Sequence, residues 1–132
     1  MKLTEKYFDE LLSEIENAKS SNYLIIAEGK KDRAALENLG LKNIFVLNET
    51  HRSICEKIEE ISGKAKEVVI MTDIDKEGKK IYFLMKKAFS QMNVKINNRI
   101  RELLIKLKIS HVEGLDSFIY NYQSKNSCPR PS

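Results

Sequence analysis

Val68-Val69-Ile70-Met71-Thr72-Asp73-Ile74-Asp75-Lys76-Glu77-Gly78 decides how this chain folds. Four apolar residues in a row, two of them valine, read as a strand buried on both faces. The run ends in acids with the pattern D-x-D-x-E-G, and a helical pattern follows. In open α/β sheets the carboxyl ends of parallel strands face the crevice where ligands bind. Asp73 and Asp75 lie two residues apart, so on extended backbone they point the same way. Carboxylates that close repel each other unless a cation sits among them. Hard oxygen ligands suit magnesium, manganese or calcium rather than zinc. The stretch therefore predicts a divalent-cation site at a strand end.

Two other motifs begin similarly. In an EF-hand loop Gly78 would take the sixth position, but the twelfth would be Leu84 instead of a bidentate Glu, and a strand precedes the motif where a helix belongs. A phosphatase of the haloacid-dehalogenase type carries its D-x-D after the first strand, with Thr or Val two residues on. Here Glu77 stands in that place, and strand patterns occur earlier in the chain.

Upstream, Tyr23-Leu24-Ile25-Ile26-Ala27 is another buried-strand run ending in an acid, Glu28, followed by Gly29-Lys30-Lys31-Asp32. Gly29 permits a sharp turn and close approach of backbone to a ligand. Asp32 fits the first turn of the next helix, where the dipole favours an anion, and fits a site role equally. Lys30, Lys31 and Arg33 make this corner basic. Ile44-Phe45-Val46-Leu47 reads as a further strand, and Val94-Lys95-Ile96 as a short one near an edge.

Helical stripes fill the intervals. They run through Leu3 to Ala18, through Ala34 to Leu39 with a stop at Gly40, and through Ile54 to Ile61 with a stop at Gly63. Further stripes span Glu77 to Gln91 and Arg99 to Lys108, and a short aromatic helix spans Ser117 to Tyr122. His51 and Arg52 sit at a helix start, where Arg52 could reach a phosphate and His51 reads as solvated. Arg99, Arg101, Lys106 and Lys108 give one helix a basic side, which fits either a solvated face or a nucleic-acid contact. Strands alternating with helices predict a parallel sheet covered on both faces. The order is α–β–α–β–α–β–α–β–α with a last short helix.

The 132 residues predict one domain with a real core. Lys and Arg number 23 against 19 Asp and Glu, an excess that permits an anionic partner without demonstrating one. Cys55 and Cys128 form no disulfide framework. With no signal peptide and no apolar run long enough for a bilayer, the expectation is a soluble cytoplasmic protein with no membrane partner. There is no internal repeat.

A strand ending E-G-x-x-D, then about 45 residues later one ending T-D-x-D-x-E-G, resembles the Toprim domain of topoisomerases, bacterial-type primases, overcoming-lysogenization-type nucleases and ribosomal-RNA maturases. The matching stretches are Glu28 to Asp32 and Thr72 to Gly78, and the resemblance covers roughly Asn22 to Asn97. It implies a compact Rossmann-like α/β fold with four parallel strands and a Mg2+ site at their carboxyl ends, with Mn2+ as substitute and one or two ions. It also implies roles: Glu28 as general acid or base and as a ligand, Asp73 and Asp75 as ligands, and Glu77 as the third acid of the topoisomerase version. The corresponding organisation is a packed N-terminal helix (1–21), the Toprim domain (22–98), C-terminal helices (99–122) and a disordered polar tail (123–132).

The size resembles the small stand-alone Toprim proteins. Nothing here carries a topoisomerase gate, a zinc module of the primase kind or a Walker A loop. The chemistry that fits is Mg2+-assisted attack on a phosphodiester of RNA or DNA, with Lys30, Lys31, Asp32, Arg52, Lys76, Arg99 and Arg101 as the candidate phosphate and nucleic-acid surface. Two alternatives stand beside it. One is a metal-assisted nucleic-acid-binding module that works with a protein partner, and the other is a phosphohydrolase of small nucleotides.

Overall fold

A computed structural model describes residues 2–21, 23–49 and 51–126. In chain order they form α1 (Leu3–Ser21), β1 (Leu24–Ala27), α2 (Lys30–Asn38), β2 (Ile44–Val46), α3 (Ile54–Lys64), β3 (Glu67–Met71), α4 (Lys76–Gln91), β4 (Lys95–Ile96), α5 (Arg99–Lys106) and α6 (Leu115–Asn126). Two 3-10 turns, Leu47–Glu49 and Val112–Gly114, complete them. The alternation read from the sequence is the alternation observed. Every strand pairing is parallel and the strand order is β2-β1-β3-β4.

That order matters for the site. From β1 the chain steps outward to β2, then crosses back to place β3 on the other side of β1. The crossing puts a topological switch point between β1 and β3, where open α/β sheets leave a crevice beyond the strand ends. Register fixes the alignment: Ala27, the last residue of β1, lies opposite Met71, the last of β3. Glu28 and the Thr72-Asp73 segment therefore leave the sheet side by side.

The period-2 alternation of the two central strands serves two cores. Ile25, Ala27, Val69 and Met71 face one layer, packed with Phe8, Leu11 and Ile15 of α1 and Ile100, Leu103 and Leu104 of α5. Leu24, Ile26, Val68 and Ile70 face the other, packed with Ile58 and Ile61 of α3 and Tyr82, Met85 and Phe89 of α4. Burying one such side chain completely stabilises the fold by about 1.5–3 kcal/mol. This double burial is why β1 and β3 read as continuous apolar runs.

Some boundaries differ from the sequence reading. Gly63 lies inside α3, which ends one residue later with Ala65 as C-cap; Gly63 has open space around it and no packing demand to stop the helix there. Gly40, in contrast, takes φ +92 after α2, a conformation that favours glycine. At the carboxyl end α6 continues to Asn126 instead of stopping at Tyr122. The reason is aromatic packing: Phe8 of α1 stacks on Phe118 and on Tyr122, with ring centroids 5.5 and 3.9 Å apart, which holds α6 against α1. The rest of the tail read as disordered, residues 127–132 including Cys128, lies outside the described residues. Among those described, no helix is long and apolar enough to cross a membrane.

Candidate metal centre

Acids from four positions meet at the β1/β3 switch point, and each is tied by one oxygen to a backbone N–H. Glu28 Oε1 accepts from the Asp73 N–H at 3.1 Å, bridging the ends of β1 and β3. Asp73 Oδ1 accepts from the Val112 N–H at 2.9 Å. Asp75 is the N-cap of α4, its Oδ1 accepting from the Gly78 N–H at 2.8 Å. Asp32 is buried and its Oδ2 accepts from the Gly29 N–H at 3.1 Å, closing the start of α2 on itself. Tethering one oxygen fixes each carboxylate and leaves the other for a ligand. Glu28, Asp32 and Asp73 line one crevice of about 470 Å³ together with Lys30, Lys31 and Asn48.

Electrostatics record the crowding. Burial pushes the Glu28 carboxyl above the usual carboxylate range, and the charges of Asp73, Asp32 and Asp75 push it the same way against the lowering effect of the Asp73 N–H. Asp32 is raised as well, by burial first and then by Asp73 and Glu113, with the Gly29 N–H and His111 opposing. Partly buried carboxyls stand here among like charges, and their donors are hard oxygens. Both features fit a divalent cation.

The structure brings together some of the residues singled out in the sequence and separates others. Ligand atoms of Asp73 and Asp75 lie within 4.8 Å of each other and of an imidazole nitrogen of His111. Glu28 stands alongside, bonded to the Asp73 backbone, outside that group of three. Glu77 departs from the expectation of a third acidic ligand. It sits in the first turn of α4, is 77% exposed at the side chain and faces Lys80 at 3.6 Å. The reason is helical geometry, since two residues along a helix turn a side chain away from its capping residue.

Among the candidate phosphate contacts, Lys30, Lys31 and Lys76 are exposed and none has an ion-pair partner among the described residues. Arg52 pairs with Glu60, and Arg99 lies 3.9 Å from Glu14. Asp32, as a buried acid bonded within its own helix start, repels phosphate instead of holding it.

Arg101 overturns its assignment outright, being 5% exposed. Its Nη1 donates to Thr72 O at 2.7 Å and to Thr72 Oγ1 at 3.0 Å, and its Nη2 donates to Asp73 O at 3.3 Å. The guanidinium also stacks 4.2 Å from the centre of the Tyr82 ring. Burial lowers its pKa, with Tyr82, Glu28 and Asp73 opposing that shift. Arg101 is a strut under the acid loop. The clue in the sequence is its place between Ile100 and Leu104, at the border of the apolar stripe of α5. Thr72 completes the strut, donating its hydroxyl to Gly78 O at 2.9 Å.

His111 and Val112 carry no local signal. They reach the site because Ile74 N–H donates to Ser110 O at 2.8 Å and Val112 is buried in the core, drawing the segment after α5 across the end of β3.

The Toprim domain family matches residues 23–107. A UPF0292 protein of Methanosarcina barkeri is 33% identical over 117 residues, spanning 89% of this chain and 80% of that protein. Another, of Methanocaldococcus jannaschii, is 28% identical over 123 residues, spanning 92% and 95%. A solved structure of a protein from Aquifex aeolicus is similar with a TM-score of 0.69 and 28% identity, over 80% of this chain and 94% of that one.

Proposed function

The chain belongs to the Toprim family, whose domains bind divalent metal and process nucleic acids, and on that premise we propose that it is a Mg2+-dependent phosphodiester-processing enzyme, a nuclease or nucleotidyl-transfer-type enzyme acting on RNA or DNA. The observation that carries the proposal is the junction of Glu28 and Asp73 at the switch point, with Asp75 one turn before Gly78. Asp73 and Asp75 would hold the ion. Bound there, it would neutralise charge on phosphate oxygens and orient the reacting oxygen.

The chain's own residues divide the remaining work. Glu28, with its carboxyl raised by burial and neighbouring acids, is suited to hold and pass a proton, a role commonly worth about a hundred- to ten-thousand-fold in rate. Its Oε1 stays on the Asp73 N–H, so the proton belongs on the other oxygen. Lys30 and Lys31 line the crevice beside it and would bind the phosphates that flank the reacting one. Arg101 and Thr72 keep the loop from relaxing away from the strand ends.

A second reading is a binding module whose catalysis needs a protein partner. It is favoured by the small number of free cations near the crevice, since Arg101 is buried and Arg52 and Arg99 face Glu60 and Glu14. A cleavage screen with structured RNA, single-stranded DNA and nucleotides, with and without Mg2+, separates these readings. Turnover of RNA or DNA by purified protein, lost in Asp73→Asn, supports the enzyme. Salt-sensitive binding without turnover in any arm favours the module, and turnover of nucleotides alone makes the protein a phosphohydrolase.

A further inference from the structure

We propose that His111 is a third ligand of the cation and that its imidazole gives this site a higher affinity for Mn2+ and later first-row ions than for Mg2+, the ion proposed to serve catalysis. The inference rests on the reading of Asp73 and Asp75 as metal ligands. Its own support is geometric. Two carboxylates and one imidazole offer ligand atoms that all lie within 4.8 Å of one another, a span that one ion can bridge. Glu77, the acid expected to complete the set, faces Lys80 instead. His111 supplies the missing donor from beyond the stretch that the Toprim family matches, which ends at residue 107.

The position of His111 is fixed although its ring is exposed. On one side Ser110 O accepts from Ile74 N–H at 2.8 Å, and on the other Val112 N–H donates to Asp73 Oδ1 at 2.9 Å. Val112 and Leu115 are buried in the core, which anchors the turn that follows. Between these two ties the backbone of His111 has little freedom, and the ring reaches back so that Nδ1 lies 3.4 Å from Asp73 Oδ2. Backbone thus occupies one oxygen of Asp73 and presents the other to the imidazole.

The donor set decides the order of affinity. Mg2+ binds oxygen, keeps several waters and demands near-ideal octahedral geometry. An imidazole nitrogen adds little for Mg2+ and more for first-row transition ions, least for Mn2+ and rising toward the later members. The site is therefore one in which the third carboxylate of an oxygen-only set has given way to nitrogen.

The test uses Mg2+ and Mn2+ as probes of the whole chain, with affinity read from thermal-shift titration and, for Mn2+, from the electron paramagnetic resonance signal of the free ion. The wild type should bind Mn2+ more tightly than Mg2+. His111→Ala should weaken Mn2+ by about tenfold while moving Mg2+ little, and Asp73→Asn should weaken both. The exposed ring makes His111→Ala a mild change to the fold, which the melting temperature without metal checks. If His111→Ala leaves Mn2+ affinity unchanged while Asp73→Asn removes it, His111 is only a neighbour of Asp73 and the ligand assignment falls, with the metal site intact. If it weakens both ions equally, His111 orders Asp73 without selecting the metal, and the preference falls. If Asp73→Asn changes neither ion's binding, the metal reading itself fails.

Discussion

Gly78 measures how tightly the acid loop is built. A Cβ added there would meet the Asp73 carbonyl oxygen at 2.0 Å, its carbon at 2.6 Å and its nitrogen at 2.9 Å. All three are backbone atoms that cannot swing aside, so Gly78→Ala must displace Asp73 or the start of α4. We expect a loss of about 3 kcal/mol in chemical denaturation, together with loss of the cation response. Glu28→Gln tests a different property, because glutamine keeps an oxygen for the Asp73 N–H but cannot accept a proton at neutral pH. The variant should fold and bind substrate, with turnover lower by about two orders of magnitude; full turnover would move the chemistry away from Glu28. Glu28 and Asp32 hold their protons more tightly when folded than at their ordinary values of 4.5 and 3.8. The folded state then binds more protons than the unfolded one above those values, so the metal-free protein loses stability as pH rises through the window between the ordinary and the raised pKa. Denaturation midpoints without metal should fall across that window, and Glu28→Gln should flatten the fall.

Each element contributes to the site through one or two buried polar ties. Helix α5 shows the strongest, because Arg101 holds Thr72 and Asp73 by their carbonyls. Hydrogen bonds to a charged group contribute about 1.5–3 kcal/mol, so Arg101→Met should destabilise the protein by about 3 kcal/mol, as read from urea denaturation. Arg101→Lys should rescue little of it, since an ammonium cannot reproduce the planar fork. Periodicity revealed α5 and its apolar face. It marked Arg101 only as a border position of that face, because a helical stripe records apolar side chains and does not say whether a cation beside them turns inward. Asp75 differs, because an Asp just before a helical pattern is itself a residue type that caps helix starts. For nucleic acid, the exposed lysines of α2 are the available contacts, since Arg101 is buried. Lys30→Glu with Lys31→Glu should abolish salt-sensitive binding, measured by fluorescence anisotropy at two salt concentrations. Binding that survives would place the nucleic acid elsewhere.

At the scale of the molecule, the parallel sheet and the acid-tipped strands were legible because double burial leaves long apolar runs and the acids end them abruptly. Strand order is another matter. Nothing local to β1 or β3 says that they are neighbours, and only the E-G-x-x-D and T-D-x-D-x-E-G pair pointed to it. His111 and Val112 were silent for the same physical reason: they join the site through a contact spanning nearly forty residues of chain, after α5 has packed on the sheet. The whole fold thus converges on one claim, that the crowded strand ends of β1 and β3 hold a divalent cation. Anomalous scattering from crystals grown with Mn2+ tests it most directly. A strong peak is expected within coordination distance of Asp73 Oδ2 and the Asp75 carboxylate, absent from crystals of Asp73→Asn; ordered crystals without a peak there, or with the same peak in the variant, would refute cation binding at these strand ends.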